Sequence, residues 1–286
     1  MASYTNMAWP EDPYGTGQLW RREPHLLAGL AVCWTGEAGQ AVPVCYAVAY
    51  LRLHRTRPVD LTSGVSFGFR TVVAAAGDEV RELVRMFDLD VLRARRLAKV
   101  VAGCSLARDL HAFDALAVGD VGRGIRGLAA VWGADDGDNP GLARVFDIAD
   151  EHAQSQGDLA VASARVGVSA STVRWAFAPQ HTIDAMAGIA RGQRAGENAA
   201  CENPVGREPD MIRSVDWLGA CSTERALVCA ITAGRMLDRH IWEGPPDIGK
   251  AMAVNAWDCF RSLDFDQPQP GSSLASAATE GDLDYH

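Results

Sequence analysis

A chain of 286 residues, 48% hydrophobic and 22% charged, has enough apolar material for one large core or two small ones. Its formal net charge of −9 excludes a surface built for broad nucleic-acid binding, which needs a basic footprint, and leaves room only for a local basic groove. No apolar run approaches the roughly 20 residues of a membrane-spanning helix, so no membrane partner is expected.

The opening MASYTNMAWPEDPYG has neither the basic start nor the apolar centre of a signal peptide, and the expected location is the cytoplasm. Cysteines stand at 33, 45, 104, 201, 221, 229 and 259. None forms a Cys-x-x-Cys pair or a His/Cys cluster with zinc spacing, so buried reduced thiols are expected.

Residues 1–24 are polar, carry Pro10, Pro13, Gly15 and Gly17, and read as an extended N-terminal segment. Apolar runs over 26–34 and 41–53, joined by a turn with Gly36 and Gly39, predict a hairpin. A third strand follows over 65–73, where Val65, Phe67 and Phe69 alternate with small or polar residues. Val80, Leu83, Val84, Phe87, Val91 and Leu92 give one apolar face to a helix from Asp78 to about Lys99. Arg93, Arg95, Arg96 and Lys99 cluster at its end, where cations suit the helix dipole and can also meet phosphate.

Next comes VVAGCSLARDLHAFDAL, a β-branched run ending at Gly103 and a helix with Leu106, Leu110 and Phe113 on one face. Asp109 is placed beside the strand end, the crevice in which open α/β sheets hold ligands. A short helix over 122–132, an acidic loop over 134–140 and a strand over 143–148 carrying Asp147 follow. Gly122, Gly124 and Gly127 mimic a dinucleotide fingerprint but follow no clear strand. Helices are expected over 159–168, over 224–241 with Thr223 as N-cap, and over 248–263. The Gly-punctuated stretch 178–222 reads as a helical insertion, and 264–286 as a disordered acidic tail. One domain over 25–263 results, of α/β class.

GCSLARDL resembles the second motif of the DEDD-type 3′–5′ exonucleases, ribonuclease H-like proteins that include polymerase proofreading subunits; Gly103 and Asp109-Leu110 match in register. The order β-β-β-α-β-α is similar to theirs, which implies a mixed sheet of three antiparallel strands followed by parallel ones. The family's first motif places two metal-binding carboxylates at the end of strand one. Here Ala31 and Cys33 stand in those positions, before Thr35-Gly36. The final motif resembles Glu224-Arg225-Ala226-Leu227-Val228-Cys229-Ala230, with Glu224 in place of the general-base His and Cys229 in place of a metal-binding Asp. Two magnesium ions need oxygen ligands that methyl groups and thiols do not supply. The resemblance therefore implies an exonuclease-fold protein without catalysis or cofactor, serving as a weak nucleic-acid-binding or protein-interaction module.

Two alternatives stand beside it. Asp109, Asp147, Glu37 and Glu224 can be drawn as a displaced acidic cluster, making an active exonuclease that uses magnesium or manganese, with Asp109 and Asp147 as ligands. LAVASARVGVSASTVRW, residues 159–175, resembles the helix-turn-helix of lac-repressor-type regulators, with Arg174 in the recognition helix as a DNA contact.

Overall fold

The computed structural model describes residues 1–7, 25–36, 41–116, 122–130, 143–151, 159–168, 173–191 and 207–263. It is an α/β structure whose six-stranded mixed sheet is flanked by helices on both faces. The strands are β1 (Ala2–Thr5), β2 (Leu26–Thr35), β3 (Val42–Arg52), β5 (Phe67–Val73), β6 (Val100–Gly103) and β7 (Arg144–Asp147), arranged β1-β5-β3-β2-β6-β7. Strand β4 (Val59–Asp60) pairs separately, in parallel, with β8 (His240–Ile241). Strands β2, β3 and β5 run antiparallel, whereas β6 lies parallel to β2 and β7 parallel to β6.

The period-two pattern explains the layering. Leu26, Ala28, Leu30 and Val32 face one core, and Leu27, Ala31 and Cys33 face the other; in β3, Tyr46, Val48 and Tyr50 oppose Cys45, Ala47, Ala49 and Leu51 in the same way. A strand buried on both faces has to be apolar almost throughout, as these are. The first core is closed by α1 (Val80–Leu97), α2 (Leu106–Ala115) and α3 (Arg123–Ala130), with the rings of Tyr46, Phe87, Phe113 and Trp34 in a continuous row. The second lies under α7 (Arg207–Met236), with α5 (Leu159–Arg165), α6 (Gln180–Ala190) and α8 (Ile248–Ala256) around it. The one-turn α4 (Ile148–Glu151) continues directly from β7.

Helix α7 is 30 residues long and begins well before the expected Glu224. Residues 207–222, assigned from sequence to an insertion, are its first half. Pro209 falls in the first turn, where no intrahelical N–H is lost. Thr223 is an interior residue rather than an N-cap: its Oγ1 donates to the carbonyl of Gly219 at 2.8 Å and lies 2.6 Å from Thr71 Oγ1. Helix α5 ends at Arg165 and α8 at Ala256, each shorter than the apolar pattern suggests. The first five residues, expected to be part of an extended segment, contain a strand that hydrogen-bonds along β5. The glycines of the fingerprint-like segment serve packing: Gly124 lets α3 approach the backbone of Asp88 in α1, while Asp88 Oδ1 accepts from Ile125 N at 2.8 Å. The loop over 134–140 and the tail over 264–286 lie outside the described residues.

The small residues of β2 fix how closely α7 sits on the sheet. A Cβ at Gly29 would overlap the carbonyl of Ala226 and come within 2.8 Å of Ala230 N. Gly29→Ala is accordingly expected to lower the unfolding free energy by about 3 kcal/mol, the upper end for overpacking, because the obstructing atoms are backbone. A urea titration of the two proteins checks this; an unchanged midpoint would show that α7 can shift without cost.

Candidate functional site

Strands β2, β6 and β7 point their carboxyl ends the same way, and the crevice beyond them gathers side chains from four elements. The β2–β3 ladder shifts register here, Cys33 pairing with Cys45 and Trp34 with Pro43, so the extra residue is Val44 of β3. By strand alternation Cys33 faces the core under α7, whereas the Trp34 ring packs on Phe113 and its Nε1 donates to Asp109 Oδ1 at 3.1 Å. Asp109 sits in the first turn of α2 and is buried at 7% exposure.

The turn from β6 into α2 is tight. Ser105 adopts a left-handed conformation (φ 58°, ψ 35°), uncommon for a residue with a Cβ. Asp147, at the end of β7, pins that turn: its oxygens accept from the amides of Ser105 (2.9 Å), Ala107 (3.3 Å) and Ala149 (3.0 Å). It thereby caps the helix that carries Asp109.

Helix α7 completes the site. Cys221, Arg225 and Cys229 recur every four residues and share one helical face. The guanidinium of Arg225 lies among Cys33, Cys221, Cys229 and Asp109; burial disfavours its charge, but these four neighbours hold it above the ordinary arginine range. Despite burial, the nearby Cys221 thiol, the Arg225 charge and Ser222 hold the Cys33 thiol down at about 6, while the Cys221 thiol itself donates to the carbonyl of Trp175 at 3.2 Å. The Sγ of Cys33 lies 3.0 Å from Ser222 Oγ. The neighbouring Cys33, and then burial, pushes the Cys221 thiol well up, while burial and nearby carboxylates push Cys229 well up and Cys104 up to about 11.

Several residues singled out from sequence therefore converge. Cys33, Asp109 and Cys229 all favour the charge of Arg225, and Asp147 helps to raise the Cys104 and Cys229 thiols. Ala31 is two residues earlier on the same face of β2, opposite Ala47 and within the core under α7.

Glu224 is elsewhere in role. It is fully buried, and its carboxylate accepts from the amides of Arg174 (3.0 Å), Trp175 and Ala176 (2.7 Å), tying the turn after α5 to α7. Glu37 lies outside the described residues. Among the proposed phosphate contacts, Arg93 is buried and bonded to Asp90 at 2.6 Å, an acid that also accepts from Tyr46 Oη at 2.6 Å. Arg95 is buried with its guanidinium against Gly127, whereas Arg96, Lys99 and Arg174 face solvent. Residues 173–178, which a recognition helix would occupy, are bends and turns with Val173 and Trp175 in the core; residues 169–172 lie outside the described set.

What sequence reading missed is Arg225. In the motif frame it passed as filler, and the four-residue repeat Cys221, Arg225, Cys229 was the available signal. Comparison of the chain with protein-family models, with curated proteins and with solved structures found no match.

The exonuclease resemblance implies a pair of divalent cations, and the donor set does not fit them. Hard cations take oxygen ligands. Of the oxygens here, Asp147 is engaged by three amides, and Asp109 by Trp34 and Arg108. The remaining donors are thiols, and a guanidinium already carries the positive charge between them. Among the described residues no group of three or more His, Cys, Asp and Glu side chains is disposed to hold a metal.

Two predictions follow from these buried acids. Glu224→Ala leaves three inward amides without an acceptor and is expected to cost about 3 kcal/mol, read from denaturant midpoints. For Asp109, burial raises the carboxyl from an ordinary 3.8 to about 6, against the opposing charges of Arg108 and Arg225 and the Trp34 bond. The native state thus holds this proton more tightly than the unfolded state, so stability falls as pH rises from about 4 to about 6, by up to about 3 kcal/mol. Asp109→Asn should remove that slope and raise the midpoint at pH values above 6 relative to the parent; parallel stability–pH curves for the two proteins would refute it.

Proposed function

We propose that the protein is a ribonuclease H-like module without nuclease activity, built to engage a protein partner and binding nucleic acid at most weakly. The observation that carries this reading is the donor set beyond the strand ends: Asp147 is held by three amides and Asp109 by Trp34 and Arg108, and Cys33 and Cys229 offer thiols where an exonuclease of this fold would need oxygen ligands for its metal ions. The strand arrangement β5-β3-β2-β6-β7, three antiparallel members then two parallel ones, supports the ribonuclease H-like assignment.

The displaced acidic cluster is less well supported. Asp147 and Glu224 each spend their oxygens on three backbone amides, and a carboxylate that holds the fold in this way is a poor metal ligand. The helix-turn-helix reading is disfavoured by the turns at 173–178. The phosphate-binding reading loses Arg93 and Arg95 to the interior, which leaves Arg96 and Lys99 of that cluster at the surface. A net charge of −9 overall favours a protein partner over a nucleic acid.

The test is incubation of the purified chain with end-labelled single-stranded DNA and RNA in magnesium or manganese. Intact substrate is expected at every time point. Metal-dependent shortening that disappears in Asp109→Ala would overturn the proposal in favour of the acidic cluster. Any binding in the same samples should fade steeply with salt, since only phosphate contacts supply it. Sequence-selective duplex binding that is lost in Arg174→Ala would instead establish the regulator reading.

A further inference from the structure

An open cleft of about 520 Å³ lies between the last turns of α5 and α7 and the chain that follows β8. That volume is in the range of small-ligand sites. His240 of β8 meets the carbonyl of Arg52 at 3.2 Å, which sets this region beside the start of β2, at the end of the sheet away from the crevice. Arg165 and Arg235 line the cleft with Trp242, Glu243 and the apolar Val166 and Pro245. Two cations against one carboxylate leave the lining positive.

An arginine in the last turn of a helix ordinarily serves the dipole and the terminal carbonyls. Here the backbone closes both ends by itself. After α5 the amides of Val166, Gly167 and Val168 return to the carbonyls of Ser163 and Ala164; after α7 those of Leu237, Asp238 and Arg239 return to Ala233, Arg235 and Gly234. Gly167 (φ 87°) and Asp238 (φ 52°) take the left-handed conformation that such closures use. Arg235 is positioned by other means: its Cζ stands 4.8 Å from the centre of the Trp242 ring, and its Nη1 donates to the carbonyl of His240 at 3.5 Å. A Cβ at Gly167 would come within 3.3 Å of Trp242 Nε1, so the indole N–H edge faces the glycine, itself part of the lining. Two guanidiniums and an indole N–H thus border one small space.

We infer that this cleft binds a phosphate monoester with a small apolar body, carried by a free molecule or by a phosphorylated side chain of a protein partner. A guanidinium pairs two phosphate oxygens at once, and an arginine stacked on an indole already holds its plane fixed. A phosphate monoester brings about −1.5 to −2 charges and three acceptor oxygens, enough for both arginines, where a carboxylate brings two oxygens. The volume holds more than the phosphate, and Val166, Pro245 and the Trp242 ring give the remainder an apolar wall. Glu243, exposed on the lining, suits a hydroxyl on that body. The cleft shares no residue with the strand-end crevice, so binding here is independent of whether that crevice lacks nuclease activity.

The experiment is calorimetric titration of the full chain, at low salt, with inorganic phosphate, phenyl phosphate, a nucleoside 5′-monophosphate and a phosphotyrosine peptide. Saturable binding of one equivalent is expected, with the esters tighter than inorganic phosphate. The tightest arm names the source: the peptide a protein partner, phenyl phosphate or the nucleotide a free small molecule. Arg165→Gln and Arg235→Gln should each weaken binding about tenfold, the loss of one charge-assisted contact. Arg213→Gln, which removes an exposed cation near the other end of α7, should leave it unchanged. No saturable binding at millimolar concentration, an equal loss in Arg213→Gln, or inorganic phosphate as tight as every ester would overturn the inference. Arg165 is exposed on the helix end, so its variant keeps the fold and decides the matter even where Arg235→Gln does not.

Discussion

The approach of α7 to Gly29 governs the geometry of everything around it. Because β2 offers no side chain at that point, the helix backbone rests directly on the strand at Ala226 and Ala230. Arg225 immediately precedes the contact, so its position at the end of the sheet is as rigid as the contact itself. A larger residue at position 29 would move the guanidinium away from Cys33 and Asp109 along with the helix. The site is therefore a consequence of sheet–helix packing, and the small residues of β2 and β3 serve its chemistry without touching it.

Adjacent residues of α7 handle buried charge in opposite ways. Glu224 turns toward the segment after α5, where its carboxylate accepts from three amides, while the charge of Arg225 is favoured by Cys33 and Asp109. On the far face of the sheet Asp90 follows a third scheme, shared between Arg93 and the Tyr46 hydroxyl, with Arg70 Nε 3.1 Å away but outside hydrogen-bond geometry. A buried ion loses its hydration, and each of these recovers it from a different class of partner. Such arrangements tolerate the loss of a whole group of partners better than the loss of one.

Much of the sheet was legible from sequence because its signals are local. Strands β2, β3 and β5 announce themselves by continuous or alternating apolar residues bounded by turns, and α1 by its apolar stripe. The crevice end was legible too, since a β-branched run breaking at Gly103 before Leu106, Leu110 and Phe113 is a strand–turn–helix. The first half of α7 was not, because Pro209 to Arg213 is exposed and Arg207 to Asp216 carries no apolar stripe. Arg93 and Arg95 looked like a solvated helix end; the Asp90–Arg93 pair is local, but its burial beside Tyr46 and the packing of Arg95 against Gly127 depend on residues far along the chain. The role of Arg225 depends on residues nearly two hundred positions away, which periodicity within one helix cannot supply.

Strand β1 has a bearing on how the molecule behaves in company. Residues 2–5 lie along β5 in register from Val73 to Arg70, and the strand is anchored by the Tyr4 hydroxyl, which donates to Asp216 Oδ1 at 2.6 Å. Asn6 closes the strip by bonding the backbone of Phe67 and Phe69. Without it, the outer backbone of β5 would be a row of unpaired amides and carbonyls, the template on which sheets of separate molecules join. At the opposite margin β7 is only four residues long, too short to offer much of a template. The leading residues thus act as a selvedge: they keep the sheet from being continued by a neighbour, and an extension or deletion at that end of the chain would bear on solubility before it bore on the fold.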